Sequence, residues 1–150
     1  MKKVFLGGTV NGSDWREKLI PQLQKNKISY FNPVVKEWKP EDQLEEIKQR
    51  ETCDFVLYVI TKEMTGFYAI AEVVDDSNKR PAETIFCYLT EGFTAHQIKS
   101  LEAIAKMVKE NGAQVFMSLT DVAEYLNTNS ENSNQLIEQQ ETSSSLFCCF

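Results

Sequence analysis

Chemistry in this chain has to come mainly from carboxylates, because the usual nucleophile and base pairs are missing. His96 is the single histidine in 150 residues. It stands in Thr94-Ala95-His96-Gln97, which reads as the exposed opening of a helix, and one imidazole cannot build a zinc site alone. Cys53, Cys87, Cys148 and Cys149 show no C-x-x-C spacing. Cys53 and Cys87 fall in or beside apolar runs and read as small core residues. Any Ser-His or Cys-His mechanism would have to run through His96. Carboxylates remain, and two of them keep unusual company. Asp54 heads the run Phe55-Val56-Leu57-Tyr58-Val59-Ile60, a costly place for a charge unless it is paired or exposed. Glu72 interrupts Tyr68-Ala69-Ile70-Ala71-Glu72-Val73-Val74.

Each acid has two readings. Asp54 is either a solvated end residue capping the preceding helix or loop, or a carboxylate serving a site. For Glu72, a helical wheel sends Ile70, Val73 and Val74 inward and leaves Glu72 beside Tyr68 and Asp76 on a solvated face. Against this, helical side chains lean towards the N-terminus, so Glu72 can reach back to Thr65-Gly66. Glu72, Asp75 and Asp76 also have the spacing of a metal cluster. No further acid or histidine lies nearby in sequence, so they read as solvated charge and no metal site is expected.

The elements that must position these residues alternate. Lys3 to Leu6 is a short strand stopped by glycines. Ser13 or Asp14 can cap a helix to about Asn26, facing inward through Trp15, Leu19, Ile20 and Leu23 and kinked at Pro21. Ser29 to Phe31 is a second strand, followed by a loop through Trp38. Pro40 opens a helix lasting to about Thr52. The continuous apolar run to Ile60 marks a central strand covered on both faces. A helix from about Phe67 to Ser77, a strand from Thr84 to Leu89, a helix from Thr94 to Glu110, a strand from Gln114 to Met117 and a helix from Leu119 to Leu126 complete the series. This alternation predicts an α/β fold: an open parallel five-stranded sheet, order 2-1-3-4-5, with helices on both faces.

That order opens a crevice at the carboxyl ends of the first and third strands. The loops there are Gly7-Gly8-Thr9-Val10-Asn11-Gly12 and Thr61-Lys62-Glu63-Met64-Thr65-Gly66. Candidate ligand contacts are therefore Gly7, Gly8 and Asn11 on one side and Thr65 and Gly66 on the other. Named phosphate motifs do not fit. Gly7 and Gly12 have P-loop spacing, but Ser13-Asp14 replaces the required Lys-Ser/Thr, and G-x-G-x-x-G is absent. A tight turn alone would also explain Gly7-Gly8.

Four segments carry a family resemblance: Val4-Phe5-Leu6-Gly7-Gly8-Thr9; Tyr30-Phe31-Asn32-Pro33; Cys53-Asp54 before Phe55-Val56-Leu57-Tyr58; and Thr65-Gly66 through Ala71-Glu72. Over about residues 3–126 the chain resembles nucleoside 2-deoxyribosyltransferases and their relatives. The resemblance implies a flavodoxin-like fold and cleavage of a nucleoside N-glycosidic bond through a glutamyl-sugar intermediate. The sugar then passes to another base. By position Glu72 matches the nucleophile and Asp54 an active-site aspartate, while Gly7, Gly8, Thr65 and Gly66 match pocket loops. Asn32 lies where a base- or sugar-contacting loop is expected. The resemblance implies no metal or organic cofactor, and a homo-oligomer in which a neighbouring subunit helps close the pocket. Two other readings stand beside it: a nucleoside or nucleotide N-glycoside hydrolase, and a non-catalytic nucleotide-binding module.

Composition sets the outer bounds. Sixteen Lys and Arg against 22 Asp and Glu leave a net charge of −6. Such a field disfavours nucleic-acid polymers and anionic membranes, while the small nucleoside or nucleotide partner is what the resemblance implies. Phe55 to Ile60 is far too short to span a bilayer, and Gly7-Gly8 interrupts the apolar start, so the expected location is cytoplasmic. Residues 127–150 are dominated by Asn, Ser, Thr, Gln and Glu until Leu146-Phe147-Cys148-Cys149-Phe150. The expected organisation is thus a domain over 1–126 and a disordered polar tail over 127–150.

Overall fold

The computed structural model describes residues 1–37 and 39–130. Five strands form one sheet: β1 (Lys2–Gly8), β2 (Ile28–Phe31), β3 (Phe55–Ile60), β4 (Thr84–Tyr88) and β5 (Gln114–Phe116). Their order is β2-β1-β3-β4-β5 and every pair is parallel, as the alternation predicts. Central β3 is buried at all six positions. Its two faces feed two separate cores. On one face, Leu6, Leu57 and Ile85 pack against Trp15 and Leu19 of α1 (Trp15–Leu19) and Val122 and Leu126 of α5 (Leu119–Thr128). On the other, Phe5, Tyr58 and Phe86 pack against Val73 of α3 (Tyr68–Lys79) and Leu101, Ala105 and Val108 of α4 (Ala95–Glu110). Such double coverage makes an unbroken apolar strand favourable. No helix of the described residues is long and apolar enough to cross a membrane.

The helix α2 (Pro40–Thr52) buries no residue fully. It is tied to the domain mainly through polar contacts, a point on which the site depends.

Two elements differ from their sequence reading. The first helix is shorter than expected, because Pro21 sits in a 3-10 turn (Ile20–Gln22) rather than a kink. Proline lacks the amide that would continue the α ladder. Its expected side-chain cap is also missing, since Asp14 pairs with Lys18 at 2.9 Å instead. At the other end, α5 runs past the expected border at 126. Asn127 Nδ2 donates to the Gln22 carbonyl at 3.0 Å, and its Oδ1 accepts from the Gln24 amide at 2.8 Å. Lys2 Nζ reaches the Asn129 carbonyl at 2.9 Å, and Ser130 is buried. Residues 127–130 therefore belong to the folded unit, and the remainder of the expected tail, 131–150, lies outside the described residues.

Candidate active site

The chain leaves β1 for α1 on one face of the sheet and leaves β3 for α3 on the other. Between these adjacent strands opens a pocket of about 300 Å³. Its wall includes Gly7, Gly8, Thr9, Val10 and Asn11 from one loop and Met64, Thr65 and Gly66 from the other. Glycine at position 8 is a steric requirement. Its φ is +110°, and a Cβ there would lie 2.1 Å from the Val59 carbonyl oxygen. That closeness lets the Thr9 amide donate to Val59 O at 2.8 Å. The Thr9 hydroxyl then accepts from the Thr61 amide at 2.9 Å, and the Thr61 hydroxyl meets Ser13 at 3.0 Å. A longer contact, Asn11 Nδ2 to Thr65 Oγ1 at 3.4 Å, bridges the loops at the surface.

Arg16 supports the same loop from below. Only 4% exposed, it donates through Nε and Nη2 to Leu6 O and through Nη1 to Thr9 O. Trp15 Nε1 adds a 2.8 Å bond to Thr9 O. Among the described residues no carboxylate pairs with Arg16. Burial pushes its pKa down to about 10, although Glu17 and Glu46 favour its charge.

Two carboxylates line the pocket opposite this loop. Glu72 on α3 has a side chain only 12% exposed, and half-buried Glu46 comes from α2. Burial pushes Glu72 up to about 7, and repulsion from Glu46 and Asp76 adds to it while Arg50 opposes. Burial likewise raises Glu46, with Arg16 and Arg50 pulling it back. Arg50 Nη1 stands 3.4 Å from Glu72 Oε1. The solvated-face reading therefore does not hold for Glu72 and Asp76, although Tyr68 on the same stripe is exposed. Asp76 is 5% exposed and Glu72 is covered, because α2 lies across that face through Arg50. Among the described residues no group of His, Cys, Asp and Glu could hold an ion.

Gly7, Gly8, Asn11, Thr65, Gly66 and Glu72 thus meet in one pocket. Asn32 does not line it. Its neighbour Pro33 does, while Asn32 Oδ1 accepts from the Val34 amide at 3.1 Å in a local turn. Asp54 is a clearer correction. It sits at the amino edge of the sheet, below the Val4–Phe55 pairing, where its Oδ2 accepts from the Lys3 amide at 2.7 Å. The pocket lies at the opposite, carboxyl edge. Asp54→Ala should therefore leave turnover per folded molecule unchanged and cost about 1 kcal/mol in a denaturant melt, the worth of one such bond. A tenfold loss of turnover would put Asp54 back into the chemistry.

Sequence reasoning missed Arg16, Glu46 and Arg50. Glu46 and Arg50 had one available signal, their i, i+4 spacing on a single helix face. Arg16 had none beyond adjacency to the inward-facing Trp15.

The Cys53 and Cys87 thiols are free and buried, as their apolar settings predict. Burial pushes Cys87 up to about 12 and also raises Cys53, so neither is a thiolate at neutral pH.

Residues 1–90 match the protein-family model described as "Nucleoside 2-deoxyribosyltransferase like". No curated protein matches the chain. The matched stretch contains β1 to β4 and every residue lining the pocket, leaving α4, β5 and α5 outside.

Proposed function

The chain belongs to the nucleoside 2-deoxyribosyltransferase-like family, and on that premise we propose that it cleaves the N-glycosidic bond of a (deoxy)nucleoside in this pocket. Glu72 is the nucleophile. One carboxylate oxygen attacks the anomeric carbon as the base departs with the electrons of the C–N bond, leaving the sugar as a glutamyl ester. A second base then attacks the same carbon and releases Glu72, so the sugar is transferred. Glu46, on the pocket wall, acts as the general acid. Its raised proton affinity suits a group that delivers a proton to the leaving base and recovers one from the incoming base. The backbone of Gly7, Gly8 and Gly66 lets the ligand approach closely, and Asn11 and Thr65 supply polar contacts.

The observation that carries this reading is Glu72 itself. It is a nearly covered carboxylate on the pocket wall to which no described side chain or amide donates a hydrogen bond. A nucleophile needs uncommitted lone pairs, and this carboxylate has them. Hydrolysis is the second reading, favoured by the exposure of Tyr68 on the pocket wall, which leaves that side open to water.

Incubation with a panel of deoxynucleosides and their monophosphates, with and without an acceptor base, tests the proposal. Exchange that requires the acceptor identifies a transferase, and base release without it a hydrolase. Ligand-induced thermal stabilisation with no turnover would leave only a binding module. Glu46→Gln should lower turnover of ordinary nucleosides by about 10²-fold, and much less for a nucleoside whose base is already cationic. Equal losses for both substrates would remove the acid role from Glu46.

A further inference from the structure

The Glu72 carboxylate has an unusual neighbour in Arg50, and the way Arg50 is held carries a further conclusion. Its Nε donates to Tyr58 Oη at 2.8 Å and to Asp76 Oδ2 at 2.9 Å. The Tyr58 hydroxyl itself donates to the same Asp76 oxygen. On the outer side, Nη2 lies 3.4 Å from the Glu72 carbonyl and 3.5 Å from Asp75 Oδ2. Nη1 is left pointing at Glu72 Oε1, 3.4 Å away, beyond the range of a strong charged hydrogen bond.

A guanidinium is a rigid plane, so fixing Nε fixes the direction of both Nη groups. Tyr58 is fully buried in β3 and Asp76 is nearly so, which makes the anchor stiff. Since α2 buries no residue fully, polar contacts such as this cluster tie α2 to α3. An ion pair at 3.4 Å favours the charged form of Glu72 without occupying a lone pair. That combination is what an attacking carboxylate requires.

We propose that Arg50, anchored by Tyr58 and Asp76, is the positioning residue that biases the Glu72 carboxylate toward its charged form and aligns it on the pocket. The proposal rests on the reading of Glu72 as nucleophile and adds how its state is set. Every charged or titratable group facing Glu72 enters the balance. From α2 come Arg50, which favours the anion, and Glu46, which opposes it. Asp76 on the same helix opposes it as well, and Tyr58 under the helix stays neutral because burial and Asp76 raise its proton affinity. Asp75 faces outward and is shared with Lys79 at 2.8 Å. Arg16, in the far wall, is taken up by backbone carbonyls. Arg50 is therefore the one cation in contact with Glu72 among the described residues.

Two readouts on the full chain test this. The Glu72 carboxyl carbon, isotope-labelled and assigned by its loss in Glu72→Gln, is titrated by NMR. The acid limb of kcat/KM is measured on the same proteins. Arg50→Gln should move both upward by about one pH unit or more, so that kcat/KM below neutrality falls roughly tenfold. Arg50→Lys should recover part of the shift, because it restores charge but not the planar fork. Tyr58→Phe, which leaves the cation but loosens its anchor, should move both midpoints in the same direction by less. It serves in place of Arg50→Gln if that variant does not fold. A Glu72 titration unmoved in the Arg50 and Tyr58 variants overturns the proposal and leaves Glu72 as nucleophile untouched. A titration that shifts while the acid limb stays fixed overturns both, since the group under Arg50's control would not be the one catalysis uses.

Discussion

Glu72→Gln should abolish turnover while leaving nucleoside binding in place. Glutamine keeps the shape of the side chain, but its amide cannot form the sugar ester, so a loss on the order of 10³-fold or more in kcat is expected. A slow substrate such as a 2-fluoro-2-deoxy nucleoside should trap the ester on the peptide holding Tyr68 to Val74. Retained turnover, or an adduct mapped elsewhere, would sink the assignment. The same variant carries a stability signature. In the folded protein Glu72 holds its proton up to about 7, against 4.5 as the ordinary value. The folded state therefore binds more protons than the unfolded state between these values. Stability from this group is complete below the unfolded value and is lost as pH rises through 7. Removing the acid should stabilise the protein by about 1 kcal/mol at pH 8, allowing for solvent screening at the open pocket, and by almost nothing at pH 4. Denaturant melts at the two pH values check the sign. In the wild type, kcat/KM should rise with pH through about 7, because only the ionised form attacks.

The largest loss of stability is expected at Gly8. Alanine there would carry a φ of +110° and place its Cβ 2.1 Å from Val59 O and 2.5 Å from Val59 N. Both obstacles are backbone of the central strand, so nothing nearby can rotate away. Gly8→Ala should cost about 3 kcal/mol or more and lower Tm by roughly 10 °C, with activity falling as the Thr9–Thr61 bridge is displaced. Gly66 is the matched control. It lines the same pocket, yet a Cβ there meets nothing within 4 Å. Gly66→Ala should therefore change Tm little, and any effect should appear in KM. Equal melting temperatures for the two variants would show that the close approach at Gly8 is not structurally required.

Much of the architecture was legible because parallel sheets impose strong local patterns. Six consecutive apolar residues are favourable only in a strand covered on both faces, and β3 is that strand. Pro40 opened α2 at the expected residue, and Thr94 with Gln97 formed the expected opening of α4. The crevice follows from strand order, which by itself brings Gly7, Gly8, Asn11, Thr65 and Gly66 together. Asp54 went astray for a reason the sequence already held. A residue that begins a parallel strand lies at the amino edge, and the crevice lies at the carboxyl edge.

The chain by itself determined the alternation of elements, the strand that must be central and the glycines that stop the first strand. All of these depend on residue type and spacing within one element or between chain neighbours. The state of Glu72 does not. A helical wheel registers only the helix that carries the residue, and on that wheel Glu72 and Asp76 face water. Tertiary packing laid α2 across this face, with Arg50 bonded to Tyr58 and Asp76 and Glu46 brought to the same pocket. Those partners lie 8 to 26 positions apart in sequence, from the Arg50–Tyr58 bond to the Arg50–Asp76 bond, and on three different elements. Burial, ion pairing and proton affinity are set by distances across such separations, so only the folded chain decides whether Glu72 is a solvated charge or a poised carboxylate.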